Sequence, residues 1–128
     1  MSNVWMLQAN PTQYDLPKMI QPGQKDYWLP KQHLTKMDVD DTVLIWSSGD
    51  DAGIIGLGKV TRKPYKQGGE DRVDIEITER IEPPILRTTL LNHPVLKDLL
   101  VIRQHFGANP FEVTGRQWQA FQDLRATV

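Results

Sequence analysis

Two hydrophobic periods divide this chain. Up to Glu79 the apolar residues come in short runs or in strict alternation, the pattern of strands; from Pro94 onward they recur every third or fourth position, the pattern of helices. Val4 to Gln8 is a run that predicts a buried strand, left at Asn10-Pro11 because the residue before a proline is biased to extended or turn conformations. Asp15 then caps a short helical turn containing Pro17, which Gln21, Pro22 and Gly23 stop. Asp26 to Leu29 reads as an aromatic-rich edge strand interrupted by Pro30. Thr42 to Trp46, a polar turn over Ser47 to Asp51, and Ala52 to Val60 predict a hairpin. Within its return strand Gly53, Gly56 and Gly58 imply a bulge or the close approach of another backbone.

Lys63 to Gly69 has the composition of a loop, with Pro64 and Gly68-Gly69 as breakers. Arg72 to Glu79 alternates Val73, Ile75 and Ile77 with Asp74, Glu76 and Thr78, which predicts an antiparallel strand with one wet face, ended by Glu82 to Ile85. Leu86 to Leu91 is a connection without an assigned type. Pro94 opens a helix with an apolar stripe of Val95, Leu96, Leu99, Leu100, Ile102 and Phe106, closed by Gly107. Thr114 and Gln117 form a capping box for a last helix, where the spacing of Trp118, Phe121 and Leu124 puts Trp118 in the core.

With 128 residues, the pattern describes a single domain over 1–128. Fifteen basic against 16 acidic residues argue against a protein that grips long stretches of phosphate backbone, which needs clustered cations. The chain has no cysteine, so disulfides and thiolate chemistry are excluded. No apolar run approaches a membrane span and no leader pattern opens the chain, so the expected location is cytoplasmic. Four tryptophans, at 5, 28, 46 and 118, are the residues that change the picture, since an indole fills a core or offers a face to a planar ring.

Motifs for catalysis are missing. His33, His93 and His105 are scattered and read as surface or capping residues, and the glycines of the hairpin lie within a strand, where a phosphate-cradling loop would need them between strand and helix. Ser47 and Ser48 precede a strand, not the helix of a nucleophile elbow. Asp38, Asp40 and Asp41 lack the spacing of a calcium loop and read as a solvated turn, as do Asp50 and Asp51.

Taken in order, WMLQANPTQYD from Trp5, the aromatic pair in DYWLPKQH from Asp26, the hairpin DTVLIWSSGDDAGIIGLGKV from Asp41, DRVDIEI from Asp71, PPILRTTL from Pro83 and Gln117-Trp118 together resemble an EVE domain, a relative of YTH domains among the PUA-like folds. The resemblance spans nearly the whole chain. It implies an α+β architecture, a PUA-like twisted mixed β-barrel flanked by helices. It also implies a nucleic-acid-binding module without catalysis or cofactor that takes a modified nucleobase into an aromatic pocket by base flipping. YTH domains take a methylated adenine in RNA; EVE proteins are associated with modified cytosines in DNA, which is the expectation here.

Carried onto this chain, the resemblance makes Trp28 the main stacking wall and Asn10 a side-chain amide for a base edge. Trp46, Ser47 and Ser48 then stand at the pocket end of a strand, with Trp5 and Tyr14 on its rim. Lys31 stands where relatives often carry an arginine, and it joins Lys59, Arg62, Lys63 and Lys66 as the phosphate-binding set. The alternatives are an RNA-binding or RNA- or nucleotide-modifying PUA-like protein, with Asp40 or Asp50 as its acids, and an aromatic groove for a peptide. An effector protein partner stays unspecified.

Overall fold

The strand segments assemble into one mixed sheet. A computed structural model of the chain describes residues 3–9, 20–103 and 109–127. Strands β1 (Val4–Ala9), β2 (Lys25–Trp28), β3 (Thr42–Ser47), β4 (Gly53–Gln67), β5 (Glu70–Leu86) and β6 (Phe111–Val113) lie in the order β2-β5-β4-β3-β1-β6. β1 and β3 run parallel, Val4 opposite Thr42 and Ala9 opposite Ser47, and the other neighbours are antiparallel.

β1 and β3 are uninterrupted apolar runs because both of their faces are covered. Trp5, Leu7, Ala9, Val43 and Ile45 enter one core with Trp28, Val60, Val73, Ile75 and Ile77. Met6, Leu44 and Trp46 enter a second core on the opposite face, with Leu90, Leu96, Leu99, Ile102, Phe111 and Phe121. The alternation of β5 holds as expected, with Val73, Ile75 and Ile77 buried and Asp74 and Glu76 half-exposed. The architecture is the expected α+β one, a mixed sheet flanked by helices, but among the described residues the sheet does not close into a barrel. Its edge strands β2 and β6 meet through their flanking loops, where the Lys31 N–H donates to the Asn109 carbonyl at 2.7 Å and Gln32 Nε2 to the Pro110 carbonyl at 2.9 Å.

Three elements depart from the sequence pattern. β4 continues through the expected loop to Gln67, and only Gly68 and Gly69, both at positive φ, form the turn. This is the two-residue hairpin geometry in which glycine carries no steric penalty. The projecting arm is held by pairs, with Tyr65 Oη donating to Asp74 at 2.5 Å and the Arg62 guanidinium 3.6 Å above the Tyr65 ring. β5 likewise runs past Pro83-Pro84 to Leu86. Pairing jumps from Gly56 opposite Arg80 to Ile54 opposite Ile85, so the prolines sit in a bulged stretch where no ladder N–H is required of them.

The expected helix from Pro94 is broken. A 3-10 turn, Leu96–Asp98, and α2 (Leu100–Arg103) are separated by Leu99 at an extended ψ of 135°, although Leu96, Leu99 and Ile102 are buried as the stripe requires. His93 caps the turn, its Nδ1 accepting from the backbone of Val95 and Leu96. The unassigned stretch forms α1 (Arg87–Leu91). The turn expected at Asp15 and the terminator Gly107 lie outside the described residues.

α3 (Gly115–Ala126) opens with the expected box, Gln117 N donating to Thr114 Oγ1 at 3.1 Å and Thr114 N to Gln117 Oε1 at 3.0 Å. Trp118 is half-buried at the edge of the second core, stacked on Phe121, so it is peripheral where its spacing implied an interior place. At its far end Arg125 holds both carboxylate oxygens of Glu79 on β5, and these hydrogen bonds keep the Glu79 carboxyl below its ordinary range. Among the described residues no helix is long and apolar enough to cross a membrane.

Close backbone approach, one of the two readings of the hairpin glycines, is sharpest at Gly53. A Cβ there would stand 2.5 Å from the Ile85 carbonyl oxygen and 2.9 Å from Leu86 Cα, both rigid backbone of β5. Gly53→Ala is expected to cost about 2 kcal/mol by forcing the strands apart. Gly115→Ala, with nothing within 4 Å of the added carbon, should be neutral or stabilising. Urea unfolding midpoints of the two variants decide this: equal midpoints would contradict it.

Candidate functional site

The parallel pair β1 and β3 stops side by side, and polar groups collect at that end. Ala9 lies opposite Ser47, and the Ala9 carbonyl accepts from the Ser48 backbone N–H at 2.9 Å and from Ser48 Oγ at 3.2 Å. One residue earlier, Gln8 is held by a side chain from the far end of the chain. Asn109 Oδ1 accepts the Gln8 N–H at 2.7 Å, and Asn109 Nδ2 donates to the Gln8 carbonyl at 2.9 Å. Trp28, last residue of β2, brings its indole Nε1 to the same carbonyl at 3.3 Å. An aromatic ring, two hydroxyls, a primary amide and the ends of two strands thus share one corner of the molecule.

The indole N–H of Trp28 is already engaged, so this residue has a ring face to offer and no free donor. It is only 9% exposed and belongs to the first core, which makes it more enclosed than a wall on an open groove. Ser47 is buried and Ser48 half-buried. Lys31 is exposed, and its backbone bond to Asn109 fixes it at the same corner.

Other expected residues stand elsewhere. Trp46 is buried in the second core, on the face opposite Trp28, because alternation along β3 sends Val43, Ile45 and Ser47 one way and Leu44 and Trp46 the other. Trp5 is no rim residue: it is 1% exposed, its Nε1 donates to Asp41 Oδ2 at 2.9 Å, and the His33 ring lies 5.3 Å away. Asn10 and Tyr14 fall outside the described residues. Lys59, Arg62, Lys63 and Lys66 line β4 and are exposed, but carboxylates face them. Glu76, Asp74 and Asp71 stand opposite Lys59, Arg62 and Lys66, and Lys63 Nζ lies 3.6 Å from Asp38 Oδ1. Their net field is correspondingly weak.

The aspartate group also divides. Asp38 and Asp40 are exposed turn residues, Asp40 at a φ of 72°, and Asp50 and Asp51 are exposed as well. Asp41, expected in a solvated turn, is only 2% exposed. Its carboxylate accepts the Asn3 N–H at 3.0 Å, Trp5 Nε1 at 2.9 Å and the Asp38 N–H at 2.9 Å. Charged acceptors satisfied by several N–H groups are buried without a metal or counter-ion, and Asp41 ties the start of β1 to the lead-in of β3. No group of three or more acids and histidines placed to hold a metal occurs among the described residues.

The model of the EVE domain family matches residues 3–124. The chain belongs to the EVE domain family. No curated protein matches it. Solved structures agree in fold with this EVE domain at low identity. A hypothetical protein from Leishmania major has a TM-score of 0.80 at 17% identity, covering 99% of this chain and 96% of that one. Human THYN1, solved in complex with 5-methylcytosine-containing DNA, has a TM-score of 0.79 at 14% identity, covering 96% and 97%. A mutant ZmASCH protein from Zymomonas mobilis is more distant, at 0.57 and 12% identity over 95% and 98%.

In this EVE domain the residues of this corner that sequence reading passes over are Gln8, which contributes through its backbone, and Asn109. A signal for Asn109 existed. The chain contains two Asn-Pro pairs, 10–11 and 109–110, and the second opens the segment that pairs with β1.

Proposed function

We propose that this EVE domain is a nucleic-acid-binding module that draws one modified nucleobase, a modified cytosine in DNA, out of its strand and against Trp28. The observation that carries the reading is the corner where Trp28, Ser47, Ser48 and Asn109 gather at the ends of β1 and β3. The DNA-bound state of human THYN1, which shares the fold, supports the choice of ligand. Stacking of a base on an aromatic side chain contributes about 1–3 kcal/mol, enough for a domain of near-neutral charge. A buried methyl group adds only about 0.8 kcal/mol, so selectivity also requires polar groups that the unmodified base leaves unpaired. Ser47, Ser48 and the amide of Asn10 supply those groups in this reading, and Tyr14 completes the rim. Lys31 is the first phosphate contact. Lys59, Arg62, Lys63 and Lys66 act at longer range, their charge offset by the acids across from them.

Titration of intrinsic tryptophan fluorescence tests this, with duplex and single-stranded oligonucleotides that carry 5-methylcytosine, cytosine or, in RNA, a methylated adenine. The 5-methylcytosine DNA should quench saturably and bind about tenfold more tightly than its unmodified counterpart. Equal affinity for both would end the modified-base reading. Chemical conversion of any probe, detected by mass spectrometry, would end the non-catalytic one.

A further inference from the structure

We infer that Asn109 is the positioning residue of the base site, setting the plane of the Trp28 indole through the Gln8 carbonyl; this rests on the base-binding reading above. The β1–β6 ladder pairs Val4 with Val113, Trp5 with Glu112 and Met6 with Phe111. One step further, Pro110 has no N–H, and a backbone ladder stops. The amide side chain of Asn109 takes over, giving Gln8 both an acceptor at 2.7 Å and a donor at 2.9 Å, as a ladder residue would. Asparagine supplies this pairing because its side chain is a short amide. Aspartate at neutral pH has no donor and glutamine is one methylene too long. With its side chain serving β1, the Asn109 backbone carbonyl is available to accept the Lys31 N–H at 2.7 Å, three residues beyond Trp28.

The Gln8 carbonyl has two lone pairs. One takes Asn109 Nδ2 and the other takes Trp28 Nε1 at 3.3 Å, so the direction in which that carbonyl points is shared between the amide and the indole. Among the described residues β2, which carries Trp28, is a four-residue edge strand paired with β5 alone. Its aromatic end is therefore steadied from the site side by Asn109, through both Gln8 and Lys31. A ring face held in one plane binds a flat ligand better than one that must be ordered on binding.

The test is Asn109→Asp, which keeps size and acceptor but loses the donor, read by two independent signals. The first is the Trp28 indole N–H resonance in nitrogen-correlated NMR, identified by its loss in Trp28→Phe. The second is affinity for a DNA duplex with one 5-methylcytosine. We expect the Trp28 resonance to move while those of Trp5, Trp46 and Trp118 stay, and affinity to fall tenfold or more. In the Trp28→Phe background the same substitution should cost less than threefold, because the link it acts through is already gone. An unmoved Trp28 resonance, or penalties that simply multiply in the double variant, overturns the assignment. Asn109→Ser provides the same readings if the aspartate variant does not fold. Failure of the unsubstituted protein to bind the modified duplex would overturn the base-binding reading instead, and the indole resonance would still decide whether Asn109 sets Trp28.

Discussion

Asp41→Ala is expected to lower the stability of this domain by about 3 kcal/mol, because three N–H donors lose their shared acceptor, one of them, the Trp5 indole, in a buried bond. The donors are the Asn3 backbone, the Trp5 indole and the Asp38 backbone, and the site is 2% exposed. In a domain of this size the loss corresponds to a fall of roughly 10 °C in Tm. Asp41→Asn should fall between the two proteins, since an amide keeps one acceptor oxygen and turns its NH2 toward a donor. Calorimetric melting of the three proteins checks the ranking. An alanine variant melting with the parent would mean that the donors find other acceptors and that Asp41 is not the anchor of β1 to β3.

Trp28→Ala should reduce affinity for a duplex carrying 5-methylcytosine by roughly tenfold to a hundredfold, the range of one lost stacking partner. It should also cost about 3 kcal/mol of stability, because an indole in the core leaves a cavity when removed. Both losses follow from one position, so affinity is measured well below the melting temperature of the variant, with circular dichroism confirming its fold. Trp28→Phe retains an aromatic face and gives up the hydrogen bond to Gln8, and its affinity should lie between. A folded Trp28→Ala protein that binds the modified duplex like the parent would remove Trp28 from the site.

What could be read from the chain follows the range of the interactions involved. β1, β3 and the alternating part of β5 are legible because burial on one or two faces imposes a pattern over five or six residues. The α3 capping box is legible because its partners are three residues apart. β6 is three residues long and exists through its pairing with β1, so no local window contains its cause. The outer arm of β4 and β5 is polar on both faces and held by cross-strand pairs, which makes its composition that of a loop. In the stretch after Pro94 the stripe is real, yet burial spacing does not report that the backbone breaks at Leu99.

The candidate site divides along the same line. Trp28 and Lys31 stand out only through family resemblance and Ser47 and Ser48 through their place beside an aromatic strand end, while Asn109 reaches Gln8 across 101 positions and Asp41 looks like any of its neighbours until three donors converge on it. Trp46 misled because a tryptophan at a strand end beside two serines looks like a pocket wall, whereas alternation along β3 sends it to the other face.

The order in which a ribosome delivers these parts gives the Gln8–Asn109 contact a consequence of its own. Trp28, β3 and the β4–β5 arm can all pair before residue 109 has been made, but the corner that holds Gln8, Trp28 and Lys31 in register cannot. Contacts between segments so distant in sequence close late and slowly. A truncated or stalled chain ending before residue 109 would therefore carry most of the sheet without this corner, with β1 left as an edge open to other chains.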